Sequence, residues 1–189
     1  STPTPPHPIL SGLVGSEMCI RDRVVDSSQS KLDELQSKYG SNNIEYVLST
    51  KESIQSSIND SDLVIGSVYV VGKEAPKVVK REMLSSMNPG TVMVDVSIDQ
   101  GGCFETSKPT THDNPTFLEN DIVHYCVTNM PGAVPLTATE ALNKVTLSYV
   151  ENLANNGIQN ALDSDEHLRN GVNILDGSIV HPGVKEALE

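Results

Sequence analysis

With 189 residues the chain suits one domain, or one and a part, and its formal net charge of −12 argues against nucleic acid, whose phosphates need a basic surface. Hydrophobic residues make up 37% and aromatics 4%, with no Trp, so any core must be built from Val, Ile and Leu. No run of eighteen apolar residues exists, which excludes a membrane-spanning helix, and three cysteines without paired spacing (Cys19, Cys103, Cys126) suit a reducing cytoplasm better than a disulfide framework.

Residues 1–23 stand apart. Four of the chain's eleven prolines fall within the first eight residues, and no useful helical or strand periodicity follows. The string GSEMCIRDR is similar to translated adapter or assembly read-through, so this stretch is expected to be a spurious or disordered leader outside the fold. Its charges cancel, Glu17 and Asp22 against Arg21 and Arg23, so the acidity belongs to residues 24–189.

From residue 24 the pattern alternates. Val24-Val25-Asp26 reads as the tail of a strand ending in an acid. Residues 28–39 place Leu32 and Leu35 on one helical face, and Gly40 closes that helix. A short strand spans 44–48, and Ser49-Thr50 open a turn into a helix over 51–58, with Ile54 and Ile58 at helical spacing. The apolar run 63–71 reads as a strand, 78–87 as a helix closed by Asn88-Pro89-Gly90, and 91–96 and 121–127 as further strands. Between them lies a glycine turn and a polar loop. The expected fold is α/β: an incomplete Rossmann-type doubly wound parallel sheet, covered on both faces, followed by a C-terminal helical segment.

After Pro131 a long helix is expected over 135–157, capped by Thr137, Thr139 and Glu140 and ended by Asn156-Gly157. A second helix runs over about 158–169, interrupted at Asp163 and Asp165. A hairpin then turns over Asp176-Gly177, and Pro182 starts a last helical turn. The expected divisions are thus the leader 1–23, a partial dinucleotide-binding domain 24–131, and a C-terminal helical segment over 132–189.

Polar groups collect where strands end, the edge at which open α/β sheets bind ligands. Asp26 has two readings: an acceptor for adenosine ribose hydroxyls, which would favour NAD over NADP, or a plain helix cap. Asp99 follows the run 92–98 and precedes Gln100-Gly101-Gly102, whose glycines permit close approach of a ligand. It reads either as a site residue near a nicotinamide or as a solvated turn acid. Asn129 follows the run 122–127 at the corresponding place, and the expectation is that Asp99 and Asn129 share one cleft. His124 lies inside a strand, and His112 in a Thr-rich loop. Neither pairs with a cysteine at zinc spacing, so no metal site is expected. Cys103 and Cys126 read as small buried hydrophobes.

These residues support a family. The strings DLVIGSVYVVGKEAPKVV, VDVSIDQGGCFETSKPTTHDNPTF, HYCVTNMPGAVP and TATEALNKVTLSYVENLANNG resemble the C-terminal half of the alanine dehydrogenases, over nearly all of the chain except the leader. The resemblance implies an oxidoreductase that interconverts L-alanine and pyruvate with NAD, in L-alanine catabolism, as a cytoplasmic homo-hexamer. By the same resemblance Asp26 and the neighbouring Lys31 match the ribose end, Ser49 the adenine end, and Val68 and Tyr69 the adenosine. Ile98 and Asp99 match the nicotinamide side, with Asp99 the catalytic aspartate. Lys108 stands where relatives often carry Arg, and Val127, Asn129 and Met130 match the loop under the nicotinamide ribose. The alternative is an NAD-binding module of a proton-translocating transhydrogenase without dehydrogenase activity. That family has Glu where this chain has Asp99, so alanine dehydrogenase is the better fit. The family's substrate domain, first strand and glycine-rich turn find no counterpart in the sequence. In the order 3-2-1-4-5-6 the missing strand would lie mid-sheet, so the polypeptide alone is expected to be inactive and to bind NAD poorly.

Overall fold

The structure is a computed structural model that describes residues 21–70 and 74–188. The chain forms two compact units. One comprises residues up to 68 together with 76–128; the other comprises 69–75 and 129–189.

The first unit opens with strand β1 (Asp22–Asp26), helix α1 (Gln29–Tyr39), strand β2 (Ile44–Leu48) and helix α2 (Lys51–Asn59). β1 takes in Asp22 and Arg23, so the boundary expected at residue 23 lies within a strand; the rest of the expected leader, 1–20, falls outside the described residues. The helices start where the sequence supplies oxygen caps. The Ser28 hydroxyl accepts from Lys31 N, and Thr50 and Ser53 bond reciprocally, each side chain to the other's backbone N–H. Gly40 stops α1 at φ 76°, a conformation open to glycine. β1 and β2 pair in parallel, Asp22 opposite Ile44 through Asp26 opposite Leu48.

Strands β3 (Leu63–Gly66), β4 (Val92–Asp95), β5 (Thr116–Glu119) and β6 (Ile122–Tyr125) form a second sheet in the order β3-β4-β6-β5. β3, β4 and β6 are parallel, and β5 is antiparallel to β6. Among the described residues no strand joins β1 to β3, so each pairs on one side alone. The core gathers Val79, Leu84, Met93, Phe104 and Ile122.

Three elements depart from the sequence reading. β3 ends at Gly66 rather than continuing to residue 71. The helix expected over 78–87 is a 3₁₀ turn at Arg81–Ser86, because Val79 bridges to Phe104 and donates its backbone to the sheet side instead. The polar loop before β6 contains β5, turned by Asn120 and Asp121, both at positive φ (52° and 60°).

The second unit, taken by itself, contains α3 (Pro135–Ser164), α4 (Glu166–Asn170), the two-residue strands β7 (Ile174–Leu175) and β8 (Ser178–Ile179), and α5 (Pro182–Leu188). Gly157, at φ 72° and ψ 165°, breaks α3 where the sequence places its end. Val134, not a threonine, precedes the first turn, and Pro135 begins it without a side-chain cap. Asp165 caps α4 by accepting from Leu168 N. Asp176 and Gly177 turn the β7–β8 hairpin at positive φ, as the sequence reading expects.

Candidate functional site

The parallel pair β1–β2 brings Asp26 and Ser49 together. Ser49 N donates to the Asp26 carbonyl at 2.9 Å, one residue past the last paired position. The Asp26 carboxylate accepts Ser28 N at 2.7 Å through Oδ1, which holds the turn into α1, while the helix cap itself is Ser28 and not Asp26. Its Oδ2 has no protein partner among the described residues and can accept from a ligand hydroxyl. Holding this turn and accepting from a ligand are therefore compatible. Lys31 is exposed in the first turn of α1.

The exits of β3 and β4 are joined through a buried carboxylate. Asp95, the last residue of β4, is fully buried and accepts from five donors. Oδ1 takes Ser97 N at 3.0 Å and Cys103 Sγ at 3.4 Å; Oδ2 takes Cys103 N at 2.8 Å, Phe104 N at 3.2 Å and the Ser107 hydroxyl. Ser97, itself buried, clasps the exit of β3: its hydroxyl accepts Val68 N and donates to the Val68 carbonyl, both at 2.8 Å. Ile98 and Asp99 ride on the 3₁₀ turn Val96–Gln100 that this web holds, with Ile98 buried and Asp99 exposed. Val68, Ile98 and Asp99 thus stand at adjacent strand exits.

Gly101 and Gly102 follow at φ 84° and 78°. Lys77 donates from Nζ to both of their carbonyls, at 2.7 Å to Gly102. A Cβ on Gly102 would lie 2.7 Å from Asp95 Oδ2, so the second glycine serves the carboxylate rather than a ligand. Gly66 likewise lets Cys103 and Phe104 pack against the end of β3, since a Cβ there would lie 2.3 Å from Cys103 Sγ. Burial, with Asp95 alongside, pushes the Cys103 thiol up to about 12, so it is an inert hydrogen-bond donor rather than a nucleophile.

Lys108 faces Glu119 at 3.5 Å and lies over the Phe117 ring, 5.2 Å from its centroid. Phe117 stacks on His124, which is fully buried. The His124 Nδ1–H donates to the Ile122 carbonyl at 3.1 Å, so Nε2 is left to accept the Thr106 hydroxyl at 2.8 Å. Burial holds this imidazole below its ordinary pKa, which favours the neutral form. Val127 is buried in the first unit and bridges to Thr110. Tyr69, Asn129 and Met130 belong to the second unit, where Asn129, at φ 57°, starts the 3₁₀ turn Met130–Ala133. A separate surface cavity of about 450 Å³, lined by Lys51, Lys77, Lys80, Glu82 and Glu105 among others, contains none of the expected site residues.

Sequence reasoning missed Asp95 and Ser97. The signal was an acid at the end of an otherwise apolar strand, Val92-Met93-Val94-Asp95, where a charge is costly unless donors surround it. As for a dinucleotide, an acid with an oxygen to spare at one parallel strand exit and an exposed acid at another suit ribose and reacting ends respectively.

The model of the alanine dehydrogenase/PNT C-terminal domain matches residues 15–182. The chain is similar to alanine dehydrogenase of Halomonas elongata, 49% identical over 164 residues, and to that of Lysinibacillus sphaericus, 45% identical over 165; each match covers 87% of this chain and 44% of the relative. Among solved structures, an L-alanine dehydrogenase superposes with a TM-score of 0.77 at 42% identity, covering 89% of this chain and 46% of the other. A transhydrogenase from Sinorhizobium meliloti superposes at 0.66 with 20% identity, covering 84% of this chain and 45% of the other, a likeness of fold alone. The chain spans less than half the length of these relatives.

Proposed function

The chain belongs to the alanine dehydrogenase/PNT C-terminal domain family, and from that premise we propose that it is the cofactor-binding and C-terminal part of an NAD-dependent L-alanine dehydrogenase. The reaction is L-alanine, NAD⁺ and water to pyruvate, ammonium, NADH and a proton. Bound NAD would supply the hydride acceptor. Asp26 would receive the adenosine ribose hydroxyls through Oδ2 while Oδ1 keeps its bond to Ser28 N, and Lys31 would lie beside it. Ser49 would sit at the adenine, and Val68 and Tyr69 along the adenosine. Ile98 and Asp99 would stand on the reacting side, with Asp99 orienting water or holding the substrate ammonium. Val127, Asn129 and Met130 would underlie the second ribose. Lys108 reaches the cofactor only by giving up Glu119.

The observation that best supports this reading is the pairing of polar groups at parallel strand exits: Asp26 with Ser49, and Val68 with the Asp99 turn through Ser97. The transhydrogenase reading is less favoured, since 42% identity to the dehydrogenase structure stands against 20% to the transhydrogenase. We further propose that the 189-residue polypeptide alone does not turn over alanine. β1 and β3 each have an unpaired edge among the described residues, whereas a working sheet of this type is continuous.

The test is alanine-dependent NADH formation by the longer gene product carrying this chain and by the isolated 189 residues. Activity in the first and none in the second is expected. An inactive longer protein would refute the assignment, and an active isolated chain would refute the dependence on further sequence.

A further inference from the structure

We propose that Asp95 is a positioning residue for the reaction, acting through the turn that carries Asp99, with Ser97 as its link to the exit of β3. This rests on the functional reading above, because it requires Asp99 on the reacting side. Asp95 is fully buried and pairs with no cation among the described residues: its partners there are three backbone N–H groups, a thiol and a hydroxyl. All five donors lie between residues 97 and 107, the segment that contains Asp99, and none belongs to the body of the sheet. The carboxylate therefore fixes the loop against the strand end rather than strand against strand.

Asp99 sits between the anchored ends of this segment. Before it, Ser97 gives its N–H to Asp95 and its hydroxyl to both polar groups of the Val68 backbone. After it, Gly101 N returns to the Ile98 carbonyl at 3.1 Å and Gly102 N to the Ser97 carbonyl at 3.0 Å, so the turn is closed on itself. Gly102 lies so close to Asp95 Oδ2 that only hydrogen fits between them. One acid thereby sets both the angle at which Asp99 leaves the sheet and its distance from Val68. An apolar residue at the end of β4 would fill the same space without orienting any of these five donors.

Asp95→Asn keeps the shape and turns one acceptor oxygen into a donor, so part of the web must open. In the longer enzyme carrying this chain, kcat should fall about 10- to 100-fold, as expected for a slightly misplaced reacting group. The isotope effect on kcat/KM with 2-deuterated alanine should rise, because hydride transfer becomes slower relative to the other steps. ADP-ribose, which lacks the nicotinamide that Asp99 would face on this reading, should keep most of its affinity. A purely structural role predicts otherwise: kcat and ADP-ribose binding capacity fall together while the isotope effect stays at the parent value. That result would overturn the proposal. If Asp95→Asn does not fold, Ser97→Ala removes the clasp on Val68, together with the Ser97 hydroxyl's contact to the Cys103 thiol, and should raise the isotope effect in the same direction; a parent-like kcat and isotope effect in Ser97→Ala would also overturn it. A parent enzyme that forms no NADH from alanine yet binds ADP-ribose would refute the functional reading, and this role with it.

Discussion

At Gly102 the backbone holds φ 78° and an added Cβ would meet Asp95 Oδ2 at 2.7 Å and Ser107 Cβ at 2.9 Å. Gly40 has nearly the same φ, 76°, with nothing within 4 Å. Gly40, at ψ −172°, occupies a region essentially reserved for glycine, so Gly40→Ala should cost about 1–3 kcal/mol from the backbone alone, and Gly102→Ala more than that because its Cβ also clashes, as read from urea unfolding. His124 gives a pH dependence. Its folded-state pKa lies below the ordinary 6.5, first because burial penalises the imidazolium. As pH falls through 6.5 the unfolded chain takes up the proton before the folded chain does, so stability drops until the folded pKa is passed. Thermal midpoints measured from pH 7.5 downward should decline in this window, and His124→Gln should flatten that part of the curve. Asp26 and Asp99 were legible in the sequence because each ends an apolar run. Asp95 was not: an acid directly before the turn Val96–Gln100 looks like the turn's beginning, and only the fold reveals that donors from residues 97–107 converge on it.

At the scale of elements, caps and turns carry the specification. Thr50 and Ser53 form a reciprocal cap on α2, and Thr50→Ala should lower stability by about 1 kcal/mol in chemical denaturation. The β5–β6 hairpin turns on Asn120 and Asp121, both left-handed. Asp121→Gly, giving the Asn-Gly pair preferred in such turns, should raise the thermal midpoint slightly, with a gain of up to about 1 kcal/mol. A lowered midpoint would mean that the aspartate side chain, not the backbone, holds the turn. This hairpin went unread because Thr116-Phe117-Leu118-Glu119 is short and follows a polar stretch. Its turn signal is Asn-Asp rather than a glycine pair. α1, α2 and the Gly157 break were readable because oxygen caps and glycine stops mark them. The expected helix over 78–87 failed for a tertiary reason: Val78 N bonds the Cys103 carbonyl at 2.8 Å, and Glu105 N returns to Val79 O at 2.9 Å, taking that backbone away from a helix.

For the molecule as a whole, the alternation of apolar strands and amphipathic helices was enough to read a doubly wound α/β chain. The order β3-β4-β6-β5 beside a separate β1–β2 pair follows the expected break in the middle of the sheet. The antiparallel β5 was not foreseen. On the proposed reading Asp99 stands on the reacting side of a dinucleotide at the strand exits. The most direct measurement is alanine-dependent NADH formation by the longer enzyme carrying Asp99→Asn, with ADP-ribose binding as the control. The account predicts a loss of at least about 100-fold in kcat with ADP-ribose affinity intact; parent-like turnover in Asp99→Asn would contradict it.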